Sequence, residues 1–207
     1  MILFYLLPLF ALAQTPPEFS PSCSKTLEVT YSQKQPVKPG NVLKQIDVVT
    51  QPVLRPSHVQ PDSNYIVFLV DPDVVHEYNA STMLHWYQPN CHVTQGTGEF
   101  LVPTDEGANY LGSQPPPGEK HRYVFILFEQ PVKYVFPQCY NSLFPMTIAT
   151  RSGFDLTYFV EVTALGTPVA ANWFSVEKAG EASTTRVVTT TSLNHAPCKA
   201  TQVVRHL

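Results

Sequence analysis

Two apolar runs constrain this chain more than any other feature. "YIVFLV" at residues 65–70 and "YVFILF" at residues 123–128 contain no charged residue, and each is only six residues long. Both are rich in β-branched and aromatic side chains. They are too short for a typical helix and read as strands buried on both faces. The first run is followed by Asp71-Pro72-Asp73. Pro72 has no N–H to give and fixes φ, so the ladder is expected to stop there and leave both carboxylates at a strand-end loop.

The rest of the chain leans the same way. Twenty prolines and 12% aromatic residues favour strands, turns and loops over helices. With 207 residues, 43% hydrophobic and 14% charged, the chain has material for one core and is not disordered in composition. The net charge is −3 and the 13 basic residues are scattered. No basic patch of the kind that binds nucleic acid is present.

Further strands are expected at residues 27–32 ("LEVTYS"), 45–50 ("QIDVVT"), 83–88 ("MLHWYQ"), 99–102 ("EFLV") and 167–176 ("TPVAANWFSV"). Residues 51–64 and 109–120 read as proline-punctuated loops. The best helix candidate is "RSGFDLTYFVEVTALG", residues 151–166, with Ser152 or Asp155 as cap and Gly166 as stop.

Residues 1–13 have the length and apolar character of a signal peptide. They close on Ala11-Leu12-Ala13, so Gln14 becomes the first mature residue. The run is too short to span a bilayer, and no transmembrane segment is expected. The domain boundaries are a signal peptide at 1–13, an irregular leader at 14–26, a globular domain at 27–177 and a Thr-rich tail at 178–207. Four cysteines, Cys23, Cys91, Cys139 and Cys198, suit an exported chain with two disulfides. Three pairings are possible, and Cys23–Cys198 with Cys91–Cys139 is favoured. No C-x-x-C spacing suggests zinc, and no metal or cofactor is expected. Asn79-Ala80-Ser81 is the one sequon, placing Asn79 on an exposed, glycosylated loop. The protein is therefore expected outside the cell or, by the same route, in a vacuole.

Polar groups gather at the ends and edges of the apolar strands. Asp71 and Asp73 follow the first, His85 lies inside "MLHWYQ", and "GSQPPPGEKHRY" precedes and opens the second. Gly112 and Ser113 offer a turn whose N–H groups can face an anion. Imidazole and backbone N–H groups suit phosphate oxygens, while carboxylates orient imidazoles or accept an ammonium. Two Asp and two His could ligate zinc or manganese, which makes a metal-dependent enzyme a further alternative, but no H-E-x-x-H, G-x-S-x-G or other nucleophile motif is present, which argues against an enzyme.

"DPD" after an apolar strand, "LHW" on the next and "GSQPPPGEKHRYVFILFEQ" resemble the phosphatidylethanolamine-binding protein family. That family includes the Raf kinase inhibitor proteins, the florigen-type plant regulators and the yeast carboxypeptidase Y inhibitor. The resemblance runs from about residue 27 to residue 174. It implies an antiparallel β-sandwich with one or two peripheral helices. It also implies a non-enzymatic protein with a pocket for a small anion or phospholipid headgroup. The family's pocket positions map onto Asp71, Asp73, His85, Pro115, His121 and, at the mouth, Tyr123. The alternative it implies is inhibition of a serine carboxypeptidase through the protein surface. Three departures stand out: Val75 where the family has proline, Gln114 in place of the third residue of Gly-Ser-Gly, and no match to the C-terminal helix of animal members.

Overall fold

A computed structural model describes residues 14–32, 36–57, 59–76, 79–103, 106–144 and 147–181, without the side chains of residues 75, 76, 79–81 and 142. The six-stranded main sheet is built from β2 (Asn41–Leu43), β4 (Tyr65–His76), β5 (Asn79–Val93), β6 (Phe100–Leu101), β7 (Lys120–Glu129) and β8 (Ala170–Glu177). Their spatial order is β2-β8-β7-β4-β5-β6. All neighbours run antiparallel except β2, which lies parallel to β8 at one edge. β1 (Leu27–Thr30) and β3 (Val53–Pro56) form a second, two-stranded sheet. Helices α1 (Ile148–Arg151) and α2 (Leu156–Thr163) are short. The mainly β class holds, and the antiparallel pattern gives way at the β2 edge and at an isolated parallel bridge between Thr26 and Ala171.

The two apolar runs occupy the centre of the main sheet, where β4 lies between β5 and β7. Alternate residues feed two cores. Tyr65, Val67 and Leu69 join Tyr123, Phe125 and Leu127 on the face covered by Leu27, Val29 and Leu54 of the small sheet. Ile66, Phe68 and Val70 join Val124, Ile126 and Phe128 on the opposite face. Tyr140, Leu143, Leu156 and Phe159, from a 3-10 turn at Gln138–Leu143 and from α2, cover that side. Covers on both faces explain why neither strand alternates with polar residues. Each such side chain contributes about 1.5–3 kcal/mol on full burial. Phe68 sits among the rings of Tyr87, Phe128, Phe154 and Phe159, at centroid distances of 5.3–6.0 Å.

Several expectations are corrected. "QIDVVT" forms a 3-10 turn at Gln45–Val48 instead of a strand, since only Val48 among its turn residues is buried. The proline-rich segment 51–64 contains β3, which pairs with β1 from Leu27↔Pro56 to Thr30↔Val53. β4 does not stop at Pro72 but continues to His76. α2 is capped by Asp155, whose Oδ1 accepts from Tyr158 N, and it ends at Ala164 with φ 53°, before Gly166. Leader residues 14–23 are irregular yet anchored: Gln14 N donates to Cys23 O (2.8 Å) and Thr15 is buried.

Neither favoured disulfide forms, because Cys23 and Cys91 are free, buried thiols. Cys91 points from β5 into the core, and burial pushes its thiol pKa up to about 12. Cys139 is not a free thiol, and Cys198 lies outside the described residues. Asn79 opens β5 opposite His76, beside the undescribed residues 77 and 78. Most of the tail, from residue 182, also lies outside the described residues. Among the described residues no helix is long and apolar enough to cross a membrane.

Candidate functional site

Two β-bulges aim the polar residues. Between Leu69↔Trp86 and Val70↔Leu84, β5 advances two residues while β4 advances one. His85 is the extra residue. It therefore shares the face of Trp86, although strict alternation would turn it away. Between Asp71↔Met83 and Val74↔Ser81 the imbalance reverses, and the extra residue falls in Pro72-Asp73. Proline is tolerated at such an irregularity because no ladder donor is needed there. On the other edge of β4, pairing with β7 ends at Val70↔Val124. Beyond it, carboxylates replace the backbone ladder.

Asp73 Oδ2 accepts from the backbone N of Arg122 at 2.7 Å. Its two oxygens also take the Arg122 guanidinium, with Nε at 2.9 and 3.0 Å and Nη2 at 2.5 Å. Burial works to raise the Asp73 pKa, but the hydrogen bonds and charge of Arg122 win and lower it. Arg122 Nη1 also donates to Pro17 O of the leader at 3.4 Å. Asp73 thus anchors strand β7 and does not join the imidazoles.

Asp71 is buried. Its Oδ1 accepts from Asp73 N at 2.9 Å, and its Oδ2 lies 2.8 Å from His121 Nδ1. The other ring nitrogen of His121, Nε2, lies 3.0 Å from Glu119 Oε2. Carboxylate oxygens accept, so satisfying both requires a proton on each nitrogen, and His121 is an imidazolium. Burial lowers the His121 pKa, but the bonds and charges of Asp71 and Glu119 more than offset it and carry it to about 9.

His85 has the opposite character. Its Nδ1 donates to Leu111 O at 2.9 Å. Burial lowers its pKa, and the neighbouring Arg151 and His121 charges add to that, against the opposing pull of the Leu111 bond and Asp71. At neutral pH the ring is uncharged and its Nε2 is an acceptor. Arg151, itself buried, holds the bulge by donating from Nη1 to His85 O (3.1 Å) and Asn109 O (2.7 Å).

The His85 ring packs edge-on against Tyr123, centroids 5.1 Å apart. Tyr123 is fully buried, so it forms a wall of the site and does not stand at its mouth. Burial drives its pKa well up, the Asp71 carboxylate adds to this, and the Gln114 backbone amide opposes it. The Tyr123 and Ser113 hydroxyls are both buried and lack a partner in good hydrogen-bond geometry among the described residues, although the Asp71 carboxylate and the Gln114 amide lie close enough to the Tyr123 hydroxyl to act on it. Pro115 is buried and Gln114 exposed. Gly112 is needed for packing: a Cβ there would lie 3.0 Å from Val49 Cα and 3.1 Å from Val49 O. The fold therefore brings Asp71, His85, His121 and Tyr123 together, with the 111–115 segment alongside. Glu119, Arg122 and Arg151 were not anticipated. Glu119 stands two residues before His121, a spacing that shares one side of an extended chain, and this is the signal that could have found it.

A model of the family described as phosphatidylethanolamine-binding protein matches residues 33–201. The chain belongs to the phosphatidylethanolamine-binding protein family. Phomoidride biosynthesis cluster protein N of Talaromyces stipitatus is 36% identical over 178 residues, covering 79% of this chain and 90% of that one. Protein FLOWERING LOCUS T of Arabidopsis thaliana is 31% identical over 162 residues, covering 75% and 81%. The carboxypeptidase Y inhibitor, in its crystal structure with the cognate proteinase, superposes with a TM-score of 0.55 at 23% identity. That match covers 76% of this chain and 85% of the inhibitor, and it shows a shared phosphatidylethanolamine-binding protein fold.

The carboxylate–imidazolium–carboxylate arrangement gives a pH signature. A His pKa raised from 6.5 to about 9 on folding contributes stability that is whole below pH 6.5 and lost as pH rises through 9. Urea unfolding is expected to give a free energy higher at pH 6 than at pH 9.5 by on the order of 2 kcal/mol. His121→Gln is expected to remove most of that difference. Equal stability of the native protein at the two pH values would contradict the arrangement.

Proposed function

We propose that this is an exported binding protein whose Asp71–His85–His121–Tyr123 cluster takes a small oxyanion, such as the phosphate of a phospholipid headgroup, without turning it over. The observation that carries this reading is the pair of buried hydroxyls, Tyr123 and Ser113, neither in good hydrogen-bond geometry with a partner among the described residues, with the Tyr123 ring packed on His85. A buried hydroxyl left unpaired costs about 1–3 kcal/mol, which a bound acceptor recovers. A phosphate monoester brings several acceptors at once and suits two hydroxyls and an imidazolium. Neutral His85 presents Nε2 to the same space, where it accepts a proton from a protonated phosphate or gains one as the anion arrives. Membership of the phosphatidylethanolamine-binding protein family supports the same ligand class.

A second reading rests on the opposed protonation of the two imidazoles. A neutral His85 and a cationic His121 are pushed apart by their surroundings, the pattern of a general base and a general acid sharing one site. Proton transfer next to the carboxyl of a bound small carboxylate is the chemistry such a pair would support, and one relative is named as a biosynthesis cluster protein. Export rests on residues 1–13 and on the sequon at Asn79, which we propose carries a glycan in the secreted protein.

Titration with phosphate and with phosphoethanolamine, followed by NMR of the imidazole protons, is expected to shift both His85 and His121 at millimolar ligand and to raise the His85 pKa. Two rings unresponsive in the native protein and in Glu119→Ala alike would end the binding reading. For the second reading, candidate small carboxylates incubated in D2O are expected to take up deuterium next to the carboxyl, with the uptake lost in His85→Ala. No uptake by the native protein from any of them would reject it. Protein secreted by a eukaryotic host is expected to begin at Gln14 after removal of any glycan. An intact mass that retains residues 1–13 would refute cleavage.

A further inference from the structure

His121 Nε2 is the charged donor best placed to receive an anion, and the protein's own Glu119 holds it at 3.0 Å. The way Glu119 is mounted separates a fixed backbone from a free side chain. Pro116 to Glu119 form a tight turn in which Glu119 N donates to Pro116 O (3.1 Å), with Gly118 at φ 77° in the position where a type II turn needs glycine. Gly118 N donates to Lys178 O (2.8 Å) and Lys178 N to Glu119 O (3.1 Å), which ties the turn to the chain just after β8. The Glu119 side chain is 32% exposed, against 6% for the His121 ring it touches. Its carboxylate can therefore swing into water without moving the backbone.

We propose that Glu119 is a tethered competitor for the anion site: its carboxylate occupies the His121 Nε2 donor, and an external anion binds by displacing it. This rests on the oxyanion reading of the same site. The charges facing His121 are Asp71 from β4 and Glu119 from the turn, with His85 on β5 neutral. The Asp73–Arg122 pair beside them is internally balanced. With both carboxylates ionised, Asp71, His121 and Glu119 sum to −1, which repels an anion. With Glu119 swung out, the pair left behind sums to zero. A carboxylate held on a short tether competes at high effective concentration, so the site discriminates against weak, single-acceptor anions. Oxyanions that also engage the Tyr123 and Ser113 hydroxyls can outcompete it.

The test compares phosphate affinity of the native protein, Glu119→Gln, Glu119→Ala and the remote charge control Glu161→Gln, all as full mature chains, by calorimetry and by NMR of His121. Far-UV circular dichroism and urea unfolding verify that each variant is folded. Glu119→Ala is expected to bind phosphate about tenfold more tightly, the scale of one charge-assisted hydrogen bond at a partly exposed group. Glu119→Gln should fall between it and the native protein, and Glu161→Gln should match the native protein. The His121 pKa in free Glu119→Ala should drop below about 9. Phosphate binding by Glu119→Ala alone, with none by the native protein, also supports the proposal. Affinities within twofold for native and Glu119→Ala, both binding, overturn it while leaving the anion site standing. No imidazole response in either protein overturns the anion site and this proposal with it.

Discussion

Strands β4 and β7 are hydrogen-bonded neighbours as far as Val70 and Val124, and there their ladder ends. A buried backbone without partners is costly, so each chain must find other acceptors and donors. Asp71 and Asp73 supply them. Asp73 receives the Arg122 backbone N–H and its guanidinium, and Asp71 receives the Asp73 N–H and faces His121. Pro72, between them, has no N–H to satisfy. The same two carboxylates that close the gap in the sheet thus set the position and charge of the imidazole at its edge. The site is the place where the β4–β7 ladder changes from backbone to side chain.

That arrangement separates two histidines that look alike in sequence. Both are buried, and burial alone lowers both pKa values. His121 escapes because a carboxylate meets each ring nitrogen. His85 does not, because among the described residues its ring hydrogen-bonds only the neutral carbonyl of Leu111, and the charges of Arg151 and His121 oppose its protonation. One site therefore holds a fixed cation beside a ring free to gain a proton. Tyr123, stacked on Phe174 and edge-on to His85, locks the geometry from the core side.

Much of the fold was legible in the sequence because unbroken apolar runs have one economical solution, a strand covered on both faces. The sheet centre, β1, the middle of β5, β6, β8 and a cap for α2 at Ser152 or Asp155 followed from local pattern; the structure uses Asp155. What escaped notice depends on contacts distant in sequence. "QIDVVT" has strand composition, but the backbone of Val48 and Val49 packs against Gly112, and a 3-10 turn results. β3 hid among prolines because its ladder partner is the edge strand β1, where a proline at the last pair is tolerated. Cysteine parity suggested bridges, whereas Cys23 and Cys91 are packed as small apolar residues in separate places. Asp71, His85 and His121 were legible as polar interruptions of apolar strands. Their convergence was carried by the family resemblance, because bulges decide which way His85 and Asp73 point and no spacing rule announces a bulge.

The account stands on the Tyr123 and Ser113 hydroxyls and the two imidazoles forming one receptor for an oxyanion. A crystal structure of the protein grown with millimolar phosphoethanolamine tests this most directly. The account predicts phosphate density within hydrogen-bonding distance of the Tyr123 hydroxyl, the Ser113 hydroxyl and His85, with the Asp71–His121 contact intact. Phosphoethanolamine bound elsewhere on the surface, with those hydroxyls joined only to water, would contradict it.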